Sequence, residues 1–417
     1  MNAPKLKMAH GNWVEGEEYF WGREGELKIF MESLEEGANL LLVAQRRIGK
    51  TSLMREAARR LKKRYLCLHV DLQKSNSHED AIVELSLATR PHASLWRKTG
   101  EIFTNILSTV IDRVESLQID DLSVTLRSGL TGGDWQPKGD RIFAALAASK
   151  TPVIVFFDEL PILVNRLLKG NDYQITPDGR RQADAFMSWL RKNSIDHKNR
   201  VRLVLTGSIG IEPILQQAGL SATLNAFEPF ELDPWNPETA RGCLMALANE
   251  KNIIIEPKAL DKVVELIGCC IPHHVQMFFK HIYDSCALQD LRTASEDLVA
   301  EVYKRKMLGP RGHADLSHLE ERLKMVLGPE VYALALELLT EAAVSNGLTP
   351  KAISSLAQQH IFENRRPENV QQEILNVLQH DGYLRLTEGA YTFVSKLQKD
   401  WWVARFGTGY IPIEERI

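Results

Sequence analysis

The sequence has no apolar run near the ~20 residues that a membrane-spanning helix requires; its longest, such as Leu40–Ala44, are strand-sized. Met1–Phe20 mixes charges with isolated apolar residues and contains no signal-peptide core. No excess of either charge stands out: 51 Lys and Arg face 54 Asp and Glu, a net charge of −3. That balance gives no global attraction to nucleic acid or anionic lipid, so any such contact must come from a local patch. The five cysteines, Cys67, Cys243, Cys269, Cys270 and Cys286, offer no C-x-x-C pair, because the two nearest are adjacent. They read as reduced, mostly buried thiols of a cytoplasmic protein. Also missing are a Ser/His/Asp or metal-ligand constellation, an internal repeat and any low-complexity segment. These absences describe a soluble intracellular chain with no membrane contact.

What is present reads as two or three domains, the prior for 417 residues. The apolar share of 44% and charged share of 25% are those of a globular protein. Short apolar runs at Asn39–Val43, Tyr65–Asp71, Val153–Phe157, Val201–Leu205 and Ala226–Leu232 predict strands, and helical stretches separate them. From Thr51, the apolar residues Leu53, Met54, Ala57, Ala58 and Leu61 fall on one helical face. The cations from Arg59 to Arg64 suit that helix's C-terminus. Residues 75–150 read as mostly helical, with a surface loop at Ser128–Gly133. This order implies an α/β fold, a parallel sheet with helices on both faces. From Asn236 to about Met307 the pattern is helical with no strand, and Leu308–Gly312 reads as a boundary. Beyond it, helices at Val331–Ser345, Thr349–Gln359 and Glu368–His380 precede a hairpin around Thr387-Glu388-Gly389, the order of a helix-turn-helix variant with a wing.

The first strand runs directly into Ala44-Gln45-Arg46-Arg47-Ile48-Gly49-Lys50-Thr51, and an amphipathic helix follows. A strand, a turn and a helix N-terminus aim backbone N–H groups at one spot, an anion cradle. Lys50 would reach the β- and γ-phosphates of a nucleotide, and the Thr51 hydroxyl would bind Mg²⁺. The first glycine of the pattern is Ala44 here, a small change, while Gly49 is kept where the backbone approaches the phosphates. The third strand ends on Asp158-Glu159. Asp158 would hold the metal through its water shell, and Glu159 would take the proton of the attacking water. Thr206 or Ser208, at the end of the next strand, would sense the γ-phosphate, with an ordinary strand-end turn as the alternative. No guanine-reading Asn-Lys-x-Asp motif is present, so ATP/ADP with Mg²⁺ is the expected ligand. For His273-His274, packing is the expected role and nucleotide or metal contact the alternative.

These motifs resemble the AAA+-related P-loop ATPases of the archaeal/STAND type, relatives of the origin-recognition ATPases. Phe20-Trp21-Gly22-Arg23-Glu24-Gly25-Glu26-Leu27 is similar to the family's opening box near the adenine. Gln45–Leu53, including Arg46, Arg47, Ile48 and Ser52, is similar to its phosphate loop. Phe157–Pro161 and Leu205–Ser208 resemble its metal-binding and sensor strands, and Gly268–Pro272 loosely resembles the turn of its lid. The resemblance covers residues 18–300 best. It implies an ATPase core at 1–235, a helical lid at 236–308 and a winged-helix domain at 309–417. Nucleotide binding involving Gly22 and Arg23 follows from it; a site that works in cis is the expected case, with an arginine finger in a homo-oligomer, Arg200 ahead of Arg202, as the alternative. The expected function is a slow ATPase switch whose output is a protein partner or self-assembly. A DNA-binding ATPase and a nucleotide-binding scaffold without turnover are the alternatives. Residues 319–417 carry ten Lys or Arg against thirteen Asp or Glu, while the rest of the chain balances. That distribution disfavours duplex DNA as the partner, and the module is expected to pack on the ATPase core or on a protein partner, with Trp401, Trp402 and Phe406 as the candidate aromatics.

Overall fold

The computed structural model describes residues 6–8, 16–103, 126–127, 130, 133–170, 173–362 and 365–416. The expected loop at Ser128–Gly133 falls outside these apart from Leu130 and Gly133. The chain forms two compact units.

The first unit comprises residues 25–43 and 54–231. Its elements run α1 (Glu24–Glu36), β1 (Leu40–Val43), α2 (Lys50–Leu61, entering from the other unit), β2 (Leu66–Asp71), α3 (His78–Leu87), α4 (Ala93–Gly100) and α5 (Trp135–Ala147). They continue through β3 (Val153–Asp158), α6 (Leu160–Lys169), α7 (Pro177–Asp196), β4 (Val201–Thr206), α8 (Ile211–Ala218) and β5 (Glu228–Glu231). The five strands form one parallel sheet in the order β2-β3-β4-β1-β5. Val153–Phe157 of β3 is buried throughout, which is why it reads as an unbroken apolar run. In the register, Asp71 pairs with Asp158, Phe157 with Leu205 and Leu42 with Thr206. The C-terminal ends of β1, β3 and β4 therefore lie along one edge, where open α/β sheets bind ligands. All five expected strands are present.

The second unit comprises residues 1–24, 44–53 and 232–417. It contains α9 (Pro237–Glu250), β6 (Ile254–Ile255), α10 (Pro257–Ile267), α11 (Pro272–Leu288), β7 (Thr293–Ala294) and α12 (Glu296–Val302). After these come α13 (Pro310–Val344), α14 (Pro350–Ala357), α15 (Pro367–His380), β8 (Leu384–Thr387), β9 (Ala390–Phe393) and α16 (Lys396–Phe406). Proline opens α9, α10, α11, α13, α14 and α15, where its missing N–H costs nothing. Leu308 and Gly309 lie between helices, Pro310 starts α13, and the backbone breaks again at Gly328 (φ 76°), inside α13. The supposedly strandless stretch before it contains the two-residue parallel pair β6–β7. The C-terminal hairpin turns through Glu388 (φ 52°) and Gly389 (φ 87°), both left-handed, as a two-residue turn requires.

Trp401 and Trp402 also depart from expectation. Both are wholly buried, and the Trp402 indole donates to Thr340 Oγ1 at 3.2 Å. They are the core of the C-terminal region and are closed to an outside partner. Among the described residues no helix is long and apolar enough to cross a membrane.

Candidate functional site

The phosphate loop leaves β1 and turns through Arg47 (φ 67°) and Gly49 (φ 102°) into α2. A Cβ at Gly49 would meet nothing within 4 Å, so glycine is needed there for its backbone conformation. Lys50 is buried, and its ammonium donates back to the carbonyls of Ala44 (2.6 Å) and Gln45 (2.9 Å). The side chain thus arches across the mouth of the loop. Ala44 takes part through its carbonyl, so the methyl group that replaces hydrogen at this position is tolerated. Thr51, exposed, and Ser52, half-buried, follow on the first turn of α2.

Ile48 is wholly buried and fixes the loop from beneath. Its carbonyl accepts from Arg23 Nη2 at 3.2 Å, and the same nitrogen donates to the Asp233 carbonyl at 2.5 Å. Arg23 is therefore a buried brace on the loop. Gly22 beside it has φ 65°, and a Cβ there would lie 2.4 Å from Thr239 Cγ2. Trp21 Nε1 donates to the Thr239 carbonyl at 3.1 Å, securing this opening segment to α9.

The loop also meets the C-terminal region. A Cβ on Gly382 (φ 75°) would lie 2.5 Å from Gln45 Oε1. Burial, with Arg47 and Arg46 adding repulsion, pushes the His273 imidazole down to about 4. His274 is lowered in the same way, and its buried Nδ1 has no hydrogen-bond partner among the described residues. The histidine pair sits at the start of α11, electrostatically coupled to the phosphate-loop arginines. No group of three or more His, Cys, Asp or Glu that could hold a metal occurs among the described residues.

In the sheet unit, Asp158 ends β3 and its Oδ1 accepts from the Glu159 N–H at 3.0 Å. Glu159 is left-handed (φ 59°), an uncommon backbone for a long side chain. Its Oε2 accepts both the N–H (3.0 Å) and the hydroxyl (2.5 Å) of Ser208. Thr206 Oγ1 is buried with no hydrogen-bond partner among the described residues. Gly207 between them is packed on Pro161, whose Cδ would lie 2.3 Å from an added Cβ. The link between Glu159 and Ser208 depends on β3 and β4 being neighbours, which strand spacing alone does not reveal.

Arg200 and Arg202 bond to backbone carbonyls of their own chain. Arg200 donates to the Ser149 and Lys150 carbonyls, and Arg202 to those of Leu34 and Lys198. Both lie at the N-terminal end of β4, opposite the Thr206 edge, and satisfy carbonyls there.

Solved structures share this architecture. The Walker-type ATPase of Pyrococcus abyssi matches with a TM-score of 0.61 at 18% identity, covering 94% of this chain and 99% of its own. The ORC2 protein of Aeropyrum pernix, solved as ADPNP and ADP complexes, gives 0.52 at 15% identity, covering 94% and 98%. The chain has the fold of an origin-recognition-like P-loop ATPase. At these identities the likeness is one of fold. No protein-family model and no curated protein matches the sequence.

Proposed function

We propose that the chain is a slow, Mg²⁺-dependent ATPase of the cytoplasm, a switch whose nucleotide state governs docking to a protein partner or to further copies of itself. The observation that carries this reading is the Lys50 ammonium held across the loop by the Ala44 and Gln45 carbonyls, at the N-terminus of α2. Cation, left-handed turn and helix N-terminus together fit a polyphosphate. Gln45, Arg46, Arg47, Ile48, Gly49 and Ser52 would line the phosphates, with Lys50 toward the β and γ groups. Gly22 and Arg23 would support the adenine side. Thr51 and Asp158 would hold Mg²⁺, which when bound supplies neutralisation of phosphate charge. Glu159, held through Oε2 by Ser208, would accept the proton of the attacking water. The Thr206 hydroxyl, buried and without a hydrogen-bond partner among the described residues, would donate to the γ-phosphate.

The switch reading rests on the loop's own neighbours. Gln45 packs on Gly382, and Arg46 and Arg47 act on His273, so movement of the loop would reach α11 and the C-terminal hairpin directly. On this reading residues 1–235, 236–308 and 309–417 work as core, lid and winged-helix domain. The free state of all five cysteines suits a reducing compartment.

Replacing Lys50 with Ala should abolish measurable ATP binding. Glu159→Gln should keep binding and slow hydrolysis by about 10²–10⁴, because an amide cannot accept the proton. Wild-type hydrolysis by Glu159→Gln would remove the assignment of the base. Unchanged ATP affinity in Lys50→Ala would remove the site.

A further inference from the structure

A cavity of about 720 Å³ lies within the second unit, lined by the residues around the ends of α10 and β9 and by the first turn of α16. That volume lies in the usual range for small-ligand sites. None of its lining residues belongs to the phosphate loop. Among them are three cations, Arg385, Lys396 and Lys399, against the single carboxylate of Asp400. This excess of cations occurs in the part of the chain that is otherwise net acidic.

The charges are not equally committed. Lys396 donates to Asp400, whose carboxylate also accepts the Tyr303 hydroxyl at 2.8 Å. Lys399 has a neutral partner, the Asn346 side-chain oxygen. Arg385, exposed on β8, forms no ion pair among the described residues. Two cations without a carboxylate therefore converge on one cavity, and the positive end of the α16 dipole adds to their field. Trp235 and Phe393, both mostly buried, supply aromatic surface in the same lining.

We propose that this cavity is a second ligand site, which takes a small organic anion. The ligand is a phosphate or carboxylate on an aromatic or apolar body. Arg385 and Lys399 bind the anionic group, and Trp235 and Phe393 pack on the body. Because the lining joins the end of α10 to the C-terminal hairpin, an occupant would hold these two elements together. The site stands independently of ATP hydrolysis.

Calorimetric titration of the full chain tests it, with phenyl phosphate and benzoate as probes and phenol and inorganic phosphate as controls. One aromatic anion should bind saturably, one per chain, at least about tenfold more tightly than either control, as charge-assisted contacts and ring burial act together. Which of the two binds separates a phosphate from a carboxylate ligand. Affinity should fall by about tenfold or more in Arg385→Glu combined with Lys399→Glu, through lost attraction and new repulsion. Lys50→Ala should leave it unchanged. If the double variant loses its cooperative melting, Arg385→Gln, an exposed change, should still weaken binding severalfold. The proposal is overturned by no saturable binding of either anion, or by undiminished binding in the Arg385 variants. Binding lost in Lys50→Ala and kept in those variants belongs to the phosphate loop and overturns it equally.

Discussion

The hydroxyl and the backbone N–H of Ser208 donate to the same oxygen of Glu159, Oε2, at 2.5 and 3.0 Å. Two donors on one carboxylate oxygen fix the side chain. On the proposed assignment of Glu159 as the base, Ser208 acts through it as a positioning residue, and Ser208→Ala should loosen the base without touching the phosphates. Hydrolysis should fall by about tenfold, the worth of one charge-assisted hydrogen bond of about 1.5 kcal/mol. ATP affinity should stay within about twofold of wild type, since 1.4 kcal/mol would be needed for a tenfold change. Single-turnover hydrolysis and equilibrium ATP binding separate the two effects. A parallel loss of affinity would instead make Ser208 a direct contact of the nucleotide.

Arg23 offers a second test of positioning. Its guanidinium joins the Ile48 carbonyl of the loop to the Asp233 carbonyl, so Arg23→Met removes a brace and strands two buried acceptors. Stability should fall by about 2–4 kcal/mol, from hydrogen bonds to a charged group. ATP binding should weaken as the loop loses its support, with hydrolysis per bound ATP little changed. Denaturant unfolding and ATP titration read these separately, and unchanged values for both would show that the loop holds itself.

The strands were legible in the sequence because parallel strands buried on both faces must be apolar throughout, as in Val153–Phe157. The phosphate loop was legible because its chemistry is local: Gly49, Lys50 and Thr51 are consecutive. Contacts across long sequence separations were not. Arg23 reaches Asp233, and Glu159 reaches Ser208, only because of the chain's packing and sheet order. Gly309-Pro310 marks both a short break and a helix start, since proline is free to open the helix that follows. Trp401 and Trp402 misled because two adjacent large aromatics on a short helix look exposed unless packing surrounds both, as it does on α16.

His273 gives the protein an acid-sensitive limb. Burial, aided by Arg47 and Arg46, holds its imidazole at about 4, below the ordinary 6.5. As pH falls through 6.5 the unfolded chain takes up a proton that the folded protein refuses until about 4. Stability present above pH 6.5 is therefore lost across that window, by up to about 1.4 kcal/mol per pH unit for such a group. His69, in the other unit, is lowered to about 4 by burial and acts in the same direction. Denaturant unfolding at pH 7, 6 and 5 should show the loss, and His273→Gln should reduce its slope. A profile flat from pH 7 to 5 would contradict the burial of a neutral imidazole.

The C-terminal region should not be a DNA reader. In a helix-turn-helix variant the third helix enters the major groove, and Lys or Arg beside it neutralise phosphates. Here that helix is α15, which carries Glu368 and Glu373 and no Lys or Arg. Of the two arginines just before its first turns, Arg365 is spent on Glu373 within the fold. The Gln and Asn side chains of α15 suit base edges, but base contacts without phosphate contacts give direction and little affinity. Full-length protein should therefore bind duplex DNA no more tightly than about 10⁻⁶ M at physiological salt, the non-specific range. Fluorescence anisotropy across a salt series, with and without ATP, measures this. Submicromolar, salt-dependent binding lost in Arg365→Ala with Arg366→Ala would place DNA on this surface after all. It would also require the Arg365–Glu373 pair to open on binding, a cost that the duplex phosphates would have to offset.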